Sequence, residues 1–323
     1  LNLIDMRGLD YEDPAWDSLL DQLTVDDMLK LVEFGYGTEE ITSINAPSTY
    51  AADSPQCLQY AYWSGVGGAD SELLNAYPCL TVIACTWNAP LAHEMGDAIG
   101  EEAVQWGVAG WYAPGLNLHR SPFGGRNFEY FSEDPVISGE MCVAVMSGAS
   151  DKGLLGYVKH FALNDQETHR GEYFTSLYTW CNEQAMREIY LKPFELAVKD
   201  GKAVGVMSSF NRLGATTASV SKPLLTDLLR DEWGFRGSVI SDMYSGREAN
   251  FGAVVIRPNE WWMDGEAGIR AGQDTYLQTM GTPQQFDTEN MTTVKYLREA
   301  AKHIIYTIAA STVSPAPLSA DWF

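Results

Sequence analysis

The sequence predicts an α/β fold of the TIM type, a (β/α)8 barrel, with irregularity expected in its first strands. Three observations point there. Apolar segments of about five to eight residues alternate with amphipathic stretches, the pattern of parallel strands joined by helical crossovers. Segments end in a polar residue, Lys159, Ser208 and Asp242, and a barrel builds its site at the carboxyl ends of its strands. No glycine-rich phosphate fingerprint follows a strand, which lowers the rival doubly wound sheet.

The elements run in order along the chain. Residues 14–34 read as one amphipathic helix with a stripe of Leu19, Leu20, Leu23, Met28, Leu29, Leu31 and Val32. Tyr77–Ala84 is a short apolar run with β-branched residues and reads as a strand. Asn88 then caps a helix running to Trp106, and Gly110–Pro114 is a short strand. Asp134-Pro135 supplies the N-cap and first-turn pair of a helix over 134–151. Next come a strand at Leu154–Phe161, a helix at Asn182–Lys199, a strand at Ala203–Phe210 and a helix at Ser221–Trp233. The turn Gly234–Gly237 leads into a strand at Ser238–Asp242. Asp274–Leu277 stands as a last strand and residues 289–311 as a last helix. Residues 1–312 are thus read as one barrel domain, and the Pro/Ser-rich 313–323 as a linker or strap.

Composition narrows the function. With 21 Lys+Arg against 43 Asp+Glu, the net charge of −22 excludes nucleic acid and anionic membranes as natural partners, since both demand clustered cations. A neutral ligand fits better. No run of about 18 apolar residues suggests a membrane span, and no signal peptide is visible. The compartment is left open, with a cytoplasmic location favoured over a secreted one. The five cysteines, Cys57, Cys79, Cys85, Cys142 and Cys181, form no CxxC pair and read as free thiols. His93, His119 and His303 show no metal-ligand spacing, and neither metal nor cofactor is expected.

Several residues could carry chemistry. Asp242, at the end of its strand, is either a functional carboxylate at the barrel mouth or an N-cap for the next segment. Lys159 and His160 are adjacent on a strand and should face opposite ways, one to a pocket and one to the structure, unless the backbone is irregular. Lys159 could also form a Schiff base, as barrel aldolases do. Arg120, Arg126, Glu129, Glu133 and Asp134 crowd a Gly/Pro loop and suit either a binding site or an ion-pair network. Residues 164–170 form a second polar loop. Asp53, before Ser-Pro, reads by itself as a turn residue, and Trp261-Trp262 lies in a loop and suits either sugar stacking or core filling. Carboxylates, cations and aromatics without a phosphate loop suit a neutral polyhydroxylated ligand.

Five ordered blocks carry a resemblance. HRSPFGGRNFEYFSEDPVISGEM, GYVKHFALNDQETHR, EQAMREIYLKPFELAV, GVMSSFNRLGA and LLRDEWGFRGSVISDM resemble the barrel domain of glycoside hydrolase family 3, in its β-glucosidase branch, over about residues 14–312. The resemblance implies a retaining, exo-acting glycosidase that removes terminal β-glucosyl residues from β-glucosides or oligosaccharides through a covalent glycosyl-aspartate. It implies that Asp242 is the nucleophile. It implies that Asp53, Arg126, Lys159, His160 and Arg170 bind the sugar, with Met207, Phe210 and Met243 around it. It places Lys159 and His160 in one pocket and implies non-proline cis peptides nearby.

The sequence departs from the family in places. Ser54 stands where relatives have glycine, Met243 where they have tryptophan and Phe210 where many have tyrosine. The family's acid/base glutamate sits in an α/β-sandwich domain that these residues do not match, so another segment or chain is expected to complete the site. A start at Leu1 and a lead-in helix fit relatives that place the sandwich first. The alternatives are a catalytically incomplete glycan-binding barrel and a β-xylosidase.

Overall fold

The structure is a computed structural model that describes residues 1–33, 35–59, 75–168, 170, 177–243, 249–251, 254–256, 264–277 and 284–311. In chain order its strands are β1 (Gly37–Thr38), β2 (Thr49–Asp53), β3 (Gly110–Tyr112), β4 (Leu155–Phe161), β5 (Tyr178–Thr179), β6 (Gly205–Ser208), β7 (Arg212–Leu213), β8 (Thr216–Thr217), β9 (Ser238–Ser241), β10 (Ala249–Phe251) and β11 (Val254–Ile256). The main sheet has six strands in the order β1-β2-β3-β4-β6-β9. All its pairings are parallel except β1 with β2. Thr275 adds a parallel bridge to Ile240 beyond β9. With helices between successive strands, this is an irregular α/β barrel of TIM type, and the antiparallel β1 is its irregular start.

The apolar pattern explains the layers. Strands buried on both faces read as continuous apolar runs, and β6 and β9 are buried at every position. One core cluster fills the space between the sheet and the surrounding helices, including Val158, Phe161, Val206 and Val239. A small inner cluster of Ala51, Tyr112, Met207, Ile240 and Leu277 plugs the barrel. A third joins the first helices to the last one, Met291–Ala310. The helices Ala89–Trp106 and Pro135–Asp151 touch backbone to backbone. A Cβ added to Gly96 would stand 1.9 Å from the Val145 oxygen, and one on Gly148 2.1 Å from the His93 oxygen.

Two expectations about the first third of the chain change, and one strand there is unforeseen. Residues 14–34 form two helices, Ala15–Leu20 and Val25–Glu33. The break comes from a capping box, in which Thr24 and Asp27 each accept the other's backbone N–H at 3.1 and 3.0 Å. The expected strand Tyr77–Ala84 is instead a helix at Leu80–Cys85. Leu80, Ile83 and Ala84 are buried while Val82 and Cys85 face out, a helical spacing hidden inside an apolar run. Strand β2 escapes the sequence pattern, because its TYAAD sequence carries little apolar weight. Elsewhere Asn88, Asp134, Asn182 and Asn290 cap helices. The five cysteines are free. Trp261-Trp262 and 313–323 lie outside the described residues.

Candidate active site

The carboxyl ends of β2, β4, β6 and β9 meet in one place. Asp53 closes β2, Lys159-His160 lie near the end of β4, and Asp242 follows β9. Asp242 is buried, and its backbone N–H donates to the Ser208 oxygen of β6 at 2.9 Å.

A chain of contacts links them. Lys159 Nζ donates to Asp53 Oδ1 at 2.7 Å and lies 3.5 Å from Glu129 Oε1. Glu129 accepts Arg126 through both oxygens, each at 2.6 Å, the bidentate geometry that fixes a guanidinium. Arg126 Nη2 donates to His160 Nε2 at 3.0 Å. A guanidinium can only donate, so Nε2 accepts and the ring proton sits on Nδ1. Nδ1 faces Asn117 Oδ1 at 3.3 Å and the Tyr130 hydroxyl at 3.2 Å. Asn117 also clamps the His160 backbone, accepting its N–H at 2.8 Å and donating to its oxygen at 3.0 Å. His160 Nε2 lies 3.8 Å from Asp242 Oδ2. Arg170 donates to that same oxygen, and Asp242 Oδ1 accepts the Met243 N–H at 2.7 Å.

These charges set protonation. Burial, followed by Arg126, Arg170 and Lys159, holds His160 well below the ordinary imidazole value, so the ring is neutral near pH 7. Burial pushes the Asp53 carboxyl up, but Lys159, the Ser54 N–H and Arg126 outweigh it and bring it below the usual range. Glu129 is likewise lowered, with burial opposed by Arg126 and Lys159. Glu167 moves the other way: burial raises it, Arg170 and Arg126 oppose, and Glu129 and Asp242 add to the rise. Its Oε1 is 3.8 Å from Arg170 Nε.

The structure brings Asp53, Arg126, Lys159, His160, Arg170 and Asp242 together. Phe210 backs the site, with the Arg170 guanidinium 4.9 Å over its ring. Met207 packs in the inner cluster, and Met243 is 42% exposed beside Asp242. Residue-by-residue alternation on β4 would separate Lys159 from His160, yet both belong to the network. The β4–β6 register shifts between Val158 and Phe161, and the Lys159–His160 and Phe161–Ala162 peptides are cis.

Further residues support the site. Glu129 belongs to the charged loop cluster that reads in the sequence as a binding site or ion-pair network, and Glu167 to the second polar loop, while neither Asn117 nor Tyr130 carries a role there. Thr81, inside the unexpected helix, donates to the Asn127 and Tyr130 oxygens at 2.8 and 3.0 Å and so holds the Arg126 loop. Ser54 has a φ of 86°, in the region that favours glycine. Its N–H donates to Asp53 Oδ1 at 2.6 Å, and its oxygen accepts the indole N–H of the fully buried Trp111 at 2.7 Å. Among the described residues no group of three His, Cys, Asp or Glu could hold a metal ion, and no helix is long and apolar enough to cross a membrane.

Known proteins share this chain's features. Residues 39–309 match the family described as Glycosyl hydrolase family 3 N terminal domain. Beta-glucosidase A of Butyrivibrio fibrisolvens is 39% identical over 211 residues, which is 65% of this chain and 24% of that protein. A beta-glucosidase of Rhizobium radiobacter is 34% identical over 266 residues, 80% of this chain and 32% of that one. The solved beta-glucosidase 3B of Thermotoga neapolitana in complex with alpha-D-glucose superposes with a TM-score of 0.78 at 30% identity, covering 94% of this chain and 44% of its own. The chain therefore spans a quarter to under half the length of these relatives.

Proposed function

Because the chain belongs to glycosyl hydrolase family 3, we propose that it forms the barrel part of a retaining, exo-acting β-glucosidase. One observation carries the reading. A buried carboxylate at the end of β9 is held by Arg170 within a continuous network that also contains Asp53, Lys159, Arg126 and His160.

In this reading Asp242 attacks the anomeric carbon as the glycosidic C–O bond breaks. The leaving oxygen takes its proton from an acid outside these 323 residues, and water, deprotonated by that same group, later displaces the Asp242 carboxylate. Asp53 accepts from sugar hydroxyls, while Lys159, Arg126 and Arg170 donate. Such donors bind more strongly as the ring flattens toward the transition state. Neutral His160 adds no second positive charge to Asp242, so the nucleophile is restrained chiefly by Arg170.

The test is incubation with a 2-deoxy-2-fluoro β-glucoside bearing a dinitrophenolate, then peptide mass spectrometry. That leaving group departs without acid help, and fluorine slows the second step. We expect a fluoroglucosyl adduct on Asp242 that is absent in Asp242→Asn. Glucose binding without any adduct would overturn the reading in favour of a glycan-binding barrel.

A further inference from the structure

We propose that Asn117 is a positioning residue that acts through His160: it fixes the ring proton on Nδ1 and so reserves the Nε2 lone pair for the Arg126 guanidinium. The inference rests on the reading of this cluster as a sugar site, in which Arg126 is one of the donors. Asn117 lies in the loop after β3 and is buried. A neutral imidazole has one N–H and one lone pair, and the ring alone does not settle which nitrogen carries which. The choice matters here. One N–H of Arg126 Nη2 goes to Glu129 Oε1 at 2.6 Å and the other faces His160 Nε2 at 3.0 Å, so the guanidinium is satisfied only while Nε2 is bare.

Asn117 makes that choice because its own amide cannot be turned round. The His160 backbone N–H needs an acceptor and finds one at 2.8 Å; the His160 carbonyl needs a donor and finds one at 3.0 Å. Oδ1 and Nδ2 therefore cannot exchange places. It is Oδ1, with no hydrogen to give, that then faces Nδ1 at 3.3 Å. The Tyr130 hydroxyl, 3.2 Å from Nδ1, donates or accepts equally well and imposes nothing. Among the described residues, Asn117 is thus the neighbour of Nδ1 that demands a proton there. His160 is 1% exposed, so water has no access to replace it. The other tautomer has a partner ready. A proton on Nε2 would face Asp242 Oδ2, 3.8 Å away, and would meet the Arg126 N–H head on. Without Asn117 the ring can turn its proton to the nucleophile and release Arg126.

The test is ring-nitrogen NMR of the whole chain labelled with ¹⁵N-histidine. The His160 signals, among those of five histidines, are assigned by their loss in His160→Gln. We expect the Nδ1–H pattern in the parent and both tautomers in Asn117→Leu, which is close to asparagine in size but offers no acceptor. Asn117→Asp keeps an acceptor at Nδ1 and should keep the Nδ1–H pattern. A residue with a purely structural role would destabilise the leucine variant and leave its ring pattern unchanged. The fluoroglucoside gives a second readout. The concentration for half-maximal inactivation should rise about tenfold in Asn117→Leu, the loss of one charge-assisted hydrogen bond from Arg126. Asn117→Ala stands in if the leucine variant does not fold. An Nε2–H pattern in the parent, or an unchanged pattern in the folded variant, would overturn the proposal. A parent that forms no adduct on Asp242 would overturn the glycosidase reading instead, and the ring nitrogens would still decide the role of Asn117.

Discussion

Glu129 holds two cations at once. It grips Arg126 with both oxygens and stands 3.5 Å from Lys159, so it spaces the two donors that flank Asp53 and His160. Removing a carboxylate from so buried a set leaves uncompensated positive charge. Glu129→Ala should lose about 3 kcal/mol of stability at pH 7, read from urea midpoints. Because the folded pKa of Glu129 is lowered from 4.5, its stabilisation is full above that value and fades as pH falls through the folded one. The deficit of the variant should shrink accordingly in acid; a constant deficit would mean lost packing instead. His160 works in the same direction at higher pH. Its folded pKa lies well below 6.5, so the unfolded chain takes the proton first and stability declines as pH drops below that value.

Asp165 ties two loops together. It sits just after β4 and accepts the Leu118 N–H from the loop after β3, bringing together the stretches that supply Asn117 and Arg170. Burial pushes its carboxyl up to about 7, against the pull of that N–H and of Arg120. A raised carboxyl keeps its proton in the fold while the unfolded chain has lost it. Its contribution therefore falls as pH rises from about 4 to about 7. Asp165→Asn, which keeps a neutral side chain, should gain relative to the parent across that window, on the order of 2 kcal/mol, and level off above it. Thermal melts at half-unit pH steps would measure this, and a pH-independent difference would refute it. Legibility divides along the same elements. From Asn88 to Asp242 the alternation of caps, apolar runs and glycine turns is plain, because β3, β6 and β9 are buried at every position and β4 at all but Tyr157, and each of three helices there begins at an Asn or Asp cap. Lys159 and Asp242 stand out as polar ends of apolar strands. Asp53 does not, since β2 is two alanines and two hydroxylated residues before the carboxylate; its role enters through family resemblance. The Arg126–Glu129 and Glu167–Arg170 pairs are three residues apart and lie within the charged loops the sequence shows, whereas the reach of Glu129 to Lys159 and of Thr81 to the Arg126 loop joins distant segments, which no local spacing encodes.

At the scale of the molecule, the chain is a barrel spanning a quarter to under half the length of its relatives. The proposed division of labour has a kinetic signature. With the acid/base supplied from elsewhere, these 323 residues alone should cleave aryl β-glucosides at rates that fall steeply with leaving-group pKa. Dinitrophenyl and unsubstituted phenyl glucosides should differ in kcat/KM by about 10²-fold more than they do for a version that includes the acid. A flat dependence from this chain would place the acid within it, and the raised, half-buried Glu167 would be the first carboxyl to replace.

The contact between Trp111 and Ser54 gives the chain an optical gauge. The indole is sealed from water, and its N–H is pinned to the backbone one residue from Asp53. A ligand that shifts the turn after β2 must lengthen or bend that hydrogen bond, and the colour of the indole's emission moves with it. Occupancy of the barrel mouth is then written in the protein's own fluorescence, with no dye and no chromogenic sugar attached.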